Sequence, residues 1–269
     1  MIKLNKQIIE TGHFPDGTIL MKQDVSDLTS LQSVKIEWFF ENNEELITLI
    51  FLTKHLNANR IKDVELYLPY IPNARQDRVK NPEDVFTLKY FAEVINSLNF
   101  KTVTALDPHS NVSEALIDNI RVEKPTRFIE ATIKKITEAE NETPSLFYPD
   151  EGAGKRYSGM IPLPYAFGIK KRDWATGQIK GLDIAGDIDN INGKNILIVD
   201  DICSKGGTFF FSAKKLKELG AKNIYLYITH CENTILCGEL LTSGLIKRIY
   251  TTDSIFTAKH SIIEVSHLD

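Results

Sequence analysis

The stretch ILIVDDICSKGGT, residues 196–208, places two carboxylates and a glycine-rich turn side by side. An apolar run delivers Asp200 and Asp201 at its carboxyl end, the edge at which open α/β sheets place their ligands. Ser204, Lys205, Gly206, Gly207 and Thr208 follow and lead into a helical pattern. Glycines there let backbone N–H groups come close to an anion, and hydroxyls and the helix dipole add further donors. The paired aspartates suit the hydroxyls of a sugar, held directly or through a magnesium ion. The same spacing also fits a plain strand-to-helix turn capped by a Ser or Thr. It is not a Walker loop, because GxxxxGK[ST] does not occur.

A buried strand and a following helix must carry those residues, and the surrounding chain has that rhythm. NILIVDD (195–201) reads as a buried strand, 208–219 as a helix stopped by Gly220, and NIYLYITH (223–230) as the next strand. Upstream, VELYLP (64–69) and 102–106 read as strands, the second ending at Asp107-Pro108-His109. Between them Val85, Leu88, Phe91, Ala92, Ile95 and Leu98 recur at three- and four-residue steps, which is a helix face. This alternation predicts an α/β fold of two domains, each a mostly parallel sheet with helices on both faces and right-handed crossovers. The charged run KKITEAENET (134–143) reads as a solvated helix end and linker, so the expected boundary separates residues 1–141 from 142–269. KKRDWATGQIKG (170–181) has no periodicity and reads as a long mobile loop, a common place for function.

The chain has 269 residues, enough for two domains, and its 42% hydrophobic and 25% charged content excludes a disordered or collagen-like chain. A net charge of −4 offers no general field for nucleic acid. The opening MIKLNKQIIETGHF lacks the apolar core of a signal peptide, and the longest apolar-rich stretch, 46–52, is too short to span a bilayer. Cys203, Cys231 and Cys237 cannot pair fully and none lies in a CxxC pattern. Together these features predict a cytoplasmic protein with inert thiols and neither nucleic-acid nor membrane partners.

Two acids, two residues and a Ser-x-Gly-Gly-Thr loop resemble the phosphoribosyl-diphosphate motif of the phosphoribosyltransferase fold. Further segments narrow the resemblance to the ribose-phosphate diphosphokinases (PRPP synthetases): FPDG (14–17), PYIPNARQDR (69–78), LDPHS (106–110), PDEGAGKR (149–156), the KKR at 170–172 and ITH (228–230), all in family order. The resemblance implies attack of the anomeric hydroxyl of ribose 5-phosphate on the β-phosphorus of ATP, with AMP leaving. Such chemistry rests on charge stabilisation and in-line positioning.

By the same resemblance Arg75 and Gln76 would contact ATP, the arginine as a forked cation suited to phosphate. Phe14, Asp16 and Gly17 would hold adenine across a subunit interface, which implies a homo-oligomer, at least a dimer. His109 and Asp150 match the family's magnesium ligands, and Asp200, Asp201, Ser204, Lys205, Gly206, Gly207 and Thr208 would hold the ribose phosphate. Lys170 and Arg172 resemble the catalytic Lys-x-Arg pair, with Lys171 the alternative lysine. Plainer readings stand beside these: an ion-pair cluster for Arg75, Asp77 and Arg78, a turn hydrogen bond for His109, and a core position for Phe14.

The chain departs from the family pattern in places. It begins almost at FPDG, so its N-terminal domain is expected to lack the first strand and helix. Thr18 stands where an acid is frequent, Lys205 where Thr is frequent, and Trp174 follows the KKR. An added cation at 205 would suit a more highly charged 5′ group, and compact phage-type branches with diverged loops take ADP-ribose. ADP-ribose is therefore the alternative acceptor. A phosphoribosyltransferase, or a non-catalytic regulator of synthetase subunits, completes the alternatives, although neither needs ARQDR together with the Lys-x-Arg pair.

Overall fold

The computed structural model describes residues 1–172 and 179–268, with the backbone alone at 170–172 and 179–182. They form two compact units, Met1–Lys124 and Pro125–Asp269.

The first unit runs β1 (Ile2–Leu4), β2 (Gln7–Ile8), β3 (Thr11–His13), β4 (Ile19–Met21), β5 (Val34–Trp38), α1 (Glu44–Ala58), β6 (Val64–Tyr67), α2 (Thr87–Ser97), β7 (Thr102–Leu106), α3 (Val112–Leu116) and β8 (Ile120–Glu123). Its main sheet has the order β2-β1-β5-β6-β7-β8; β5 through β8 are parallel, and β1 and β2 add antiparallel at one edge. Apolar residues at the periodic positions of α2 (Leu88, Phe91, Ala92, Ile95) are buried, as the sequence spacing requires, and join Trp38, Leu52 and Leu66 in one core. β3 and β4 form a separate two-stranded ribbon. Parallel pairing puts the carboxyl ends of β6 and β7 side by side, so the loops carrying ARQDR and DPHS leave the same edge.

The second unit runs α4 (Thr126–Glu140), β9 (Ser145–Tyr148), α5 (Glu151–Tyr157), β10 (Tyr165–Arg172), β11 (Ile179–Gly186), β12 (Asn195–Cys203), α6 (Gly207–Glu218), β13 (Asn223–Cys231), β14 (Arg248–Thr252) and β15 (Ile263–Ser266). The sheet order is β11-β10-β9-β12-β13-β14-β15, parallel except for the antiparallel β10–β11 pair. β12 lies between β9 and β13, and Asn195 through Val199 are all buried. A strand covered on both faces takes a continuous apolar run rather than an alternating one. The carboxyl ends of β9, β12 and β13 thus deliver Asp150, Asp200 and His230 to one edge.

Two expectations need correction. The chain divides at 124/125 rather than at 141, because the end of α4 is tied to the second unit. Glu140 accepts hydrogen bonds from the Tyr225 hydroxyl at 2.6 Å and from Asn223 at 3.0 Å, and pairs with Lys247. Glu142 likewise accepts from Lys194 at 2.7 Å and Asn195 at 3.0 Å, so 134–143 is an anchored helix end and not a solvated linker. The second correction concerns 170–181. Backbone pairing runs from Ala166↔Gly186 to Arg172↔Ile179, so 170–172 and 179–181 belong to a hairpin's strands, while 173–178, with Trp174, lie outside the described residues. No described helix is long and apolar enough to cross a membrane.

Candidate active site

In the second unit the acid pair sits where the buried strand ends. Asp201 is 5% exposed, and Asp200, half-buried, accepts the Asp201 N–H on its own Oδ1 at 3.0 Å. Burial pushes the Asp200 carboxyl well above the ordinary carboxylate range, and the charges of Asp201 and Asp150 push it the same way. Asp150 caps α5, its Oδ1 accepting the Ala153 N–H at 3.0 Å. Near the far end of the same short helix, Arg156 donates from Nη1 to Asp201 Oδ2 at 3.2 Å. One helix therefore links Asp150 to the acid pair, and its arginine is a counter-charge to Asp201. Arg156 had no role in the sequence reading; the signal was its place in PDEGAGKR, six residues after Asp150.

After Cys203 the chain turns into α6. Gly206 is buried and left-handed, with φ +81° and ψ 10°, and occupies the cap position. The first N–H groups of α6 have no carbonyl four residues back and open toward whatever lies at that helix end. Lys205 and Gly207 are exposed, Ser204 and Thr208 half-buried. His230 of ITH is buried at 1% exposure and bonds Ser254 Oγ through Nδ1 at 2.8 Å, a structural network rather than an open ligand site.

In the first unit, ARQDR and DPHS meet through Asp77. Its carboxylate takes two parallel hydrogen bonds from Arg78, at 2.7 and 2.8 Å, and a third from Ser110 Oγ at 2.7 Å. The Arg78 bonds, the Ser110 bond and the Arg78 and His109 charges lower its pKa from 3.8 to about 2, against the effect of burial. The ion-pair reading thus holds for Asp77 and Arg78, while Arg75 and Gln76 stand exposed on the same loop. Gln76 Oε1 accepts from the Thr87 hydroxyl at 2.9 Å, which ties the loop to the start of α2. His109 is half-buried and follows Asp107, a buried non-glycine residue at φ +42°. Backbone strain of that kind concentrates at functional turns.

FPDG forms the tip of the β3–β4 ribbon. The Phe14 N–H donates to Thr18 O and the Gly17 N–H to Phe14 O, both at 2.9 Å, and Gly17 takes φ +85°, which the turn demands. Asp16 Oδ1 accepts from the Thr18 N–H at 3.0 Å and the Thr18 hydroxyl at 2.7 Å, so Thr18 closes the turn at the position where the family pattern often has an acid. Phe14 is 50% exposed, which excludes the core reading. Lys170 and Arg172 lie by backbone in β10; with Lys171, their side chains fall outside the described residues. His109 belongs to one unit and Asp150 to the other, and among the described residues no three His, Cys, Asp or Glu side chains form a metal-holding group.

The chain matches no protein-family model. It is 26% identical over 271 residues to a ribose-phosphate pyrophosphokinase of Sulfolobus acidocaldarius, covering 96% of this chain and 89% of that protein. To the enzyme of that name from Bacillus subtilis it is 28% identical over 229 residues, covering 82% and 69%. Among solved structures, phosphoribosylpyrophosphate synthetase from Mycobacterium smegmatis superposes with a TM-score of 0.77 at 18% identity, covering 97% of this chain and 86% of that one. That superposition establishes the two-unit α/β fold.

Proposed function

The chain belongs to the ribose-phosphate pyrophosphokinase family and is a transferase of that type, and from that premise we propose that it transfers the β,γ-diphosphoryl group of ATP to the 1-hydroxyl of ribose 5-phosphate, giving PRPP and AMP. The observation that carries this reading is the edge of the second sheet. There a crowded acid pair at the end of β12 runs directly into a left-handed Gly206 and the open N-terminus of α6. Carboxylates bind sugar hydroxyls, and a helix N-terminus with exposed backbone donors binds phosphate. A sugar carrying a 5′-phosphate satisfies both halves of the edge at once.

Asp200 and Asp201 hold the ribose hydroxyls, and 204–208 hold the 5′-phosphate. Arg75 and Gln76 take ATP in the first unit. The attacking 1-hydroxyl forms a bond to the β-phosphorus as the bond from that phosphorus to the α,β-bridging oxygen breaks; AMP departs with the oxygen, and the hydroxyl proton is released to solvent. Lys170 and Arg172 offset the charge that develops on the transferred and leaving groups. Phe14 and Asp16, on an exposed ribbon tip, reach the adenine of a neighbouring subunit, so the working form is at least a dimer. The donor set also suits magnesium: Asp200 resists ionisation because burial and neighbouring carboxylates crowd it, which a divalent cation would relieve. By the resemblance Asp150 in the second unit and His109 in the first are each candidate ligands, and a bound magnesium would supply charge neutralisation on the diphosphate.

The test is AMP release from ATP and magnesium with ribose 5-phosphate or ADP-ribose offered separately, and product masses read out. Turnover with ribose 5-phosphate, and a product heavier by one diphosphate, is expected. Turnover with ADP-ribose alone overturns the acceptor, and AMP from neither overturns the reaction.

A further inference from the structure

The turn that offers Gly206 is braced from behind by a segment far along the chain. After β13 a single 3-10 turn, Asn233–Cys237, brings Gly238 and Leu240 against it. A Cβ built on Gly238 would lie 1.9 Å from the carbonyl oxygen of Lys205, 2.9 Å from its carbonyl carbon and 3.3 Å from its Cα. All three are backbone atoms, so no side-chain rotation relieves the clash. Gly238 has φ −97° and ψ 165°, a conformation open to any residue, so only proximity demands glycine here. Leu240 closes the other side: a Cβ on Gly206 would meet its Cδ2 at 2.9 Å and its Cβ at 3.0 Å. The approach is anchored by the Glu232 N–H bonding Cys203 O at 2.8 Å and the Gly238 N–H bonding Ile235 O at 3.1 Å.

A trans peptide points its carbonyl and the next N–H in opposite directions. With the Lys205 carbonyl turned onto Gly238, the Gly206 N–H must face away from Gly238. Gly206 is buried, and among the described residues no acceptor takes that N–H. A buried donor left without a partner is costly unless a ligand supplies the acceptor. We propose that Gly238 is a positioning residue: its lack of a side chain sets the Lys205–Gly206 peptide so that the Gly206 N–H is a donor to the sugar's 5′-phosphate. Leu240 holds the same peptide in place from the Gly206 side. This rests on the ribose-phosphate reading above and adds the device that presets its anion subsite.

The test uses the full chain carrying Gly238→Ala, with Leu240→Ala as the second variant and Leu240→Met as its conservative partner. KM for ribose 5-phosphate and for ATP, kcat, and calorimetric binding of ribose 5-phosphate are read for each. Losing one charge-assisted backbone donor corresponds to about tenfold to hundredfold in affinity. Gly238→Ala is therefore expected to raise KM and Kd for ribose 5-phosphate by at least about tenfold, with KM for ATP within about twofold. Leu240→Ala moves the same constants in the same direction, and Leu240→Met restores them. A folded Gly238→Ala protein with unchanged ribose 5-phosphate constants overturns the proposal. If that variant does not fold, an unchanged KM in Leu240→Ala does so. A wild-type protein that neither binds nor turns over ribose 5-phosphate counts instead against the function itself, so the two failures are distinguishable.

Discussion

Replacing Asp77 by Asn removes the charge that joins the two loops of the first unit while keeping the side-chain shape. In the native protein the carboxylate is 12% exposed and receives Arg78 at 2.7 Å and Ser110 at 2.7 Å. Its pKa falls from 3.8 to about 2, chiefly through the Arg78 bonds. A drop of that size corresponds to about 2.4 kcal/mol at full strength. The Arg78 side chain is 63% exposed, however, so solvent screens most of its share and about 1 kcal/mol is the expected loss at pH 7. Because the folded pKa is depressed, this stabilisation is present above the ordinary carboxylate value and is lost as pH falls through about 2. By pH 3 roughly half of it is gone, and the gap between the wild type and Asp77→Asn should shrink accordingly. Urea unfolding of both proteins at pH 7 and pH 3 measures that gap, and KM for ATP should rise with the loss of order around Arg75 and His109. A gap that is equal at the two pH values would refute the electrostatic account, and no gap at all would refute the role of Asp77.

Asp200→Asn should raise Tm at pH 7 and leave it unchanged near pH 3. The native carboxyl has a raised pKa, so the stability it contributes is complete at low pH and lost as pH climbs through its folded value; turnover should fall sharply, and a lower Tm at pH 7 would sink this account. Arg156→Met leaves the buried Asp201 without its 3.2 Å partner; with that arginine 22% exposed, a loss of about 1–3 kcal/mol is expected in urea unfolding, together with a raised KM for ribose 5-phosphate that Arg156→Lys partly restores. Phe14→Ala, at a half-exposed turn, should leave unfolding within about 0.5 kcal/mol of wild type yet raise KM for ATP; an unchanged KM would remove Phe14 from the nucleotide site.

The parts of the fold legible in the sequence were those with a local cause. β12 was visible because a strand covered on both faces needs an unbroken apolar run, and α2 because its buried residues recur at helical steps. The acid pair and the glycine turn were visible for the same reason: they lie within one short stretch. What stayed hidden depends on partners distant along the chain. The 134–143 run looked solvated because its charges are countered by Tyr225, Lys247 and Lys194, between about fifty and a hundred residues away. The β10–β11 pairing has no alternating pattern to announce it. Gly238, remote from the motif it braces, looked like any loop glycine, since only a backbone neighbour in space explains it.

The β3–β4 ribbon has a consequence for how the protein responds to dilution. Among the described residues its two strands pair only with each other as a sheet and Thr11, Gly12 and His13 are exposed, while Met21 against the core and His13 beside Glu44 at 2.6 Å tie it to the rest of the unit. An isolated two-stranded hairpin is marginal in water. Part of the free energy of any contact made by its tip is therefore consumed in ordering the ribbon, so specific activity should fall with protein concentration before the two sheets lose any structure. Hydrogen exchange would show this as fast amides in residues 11–21 beside slow ones in β12, with the fast set slowing when nucleotide and a second subunit are both present.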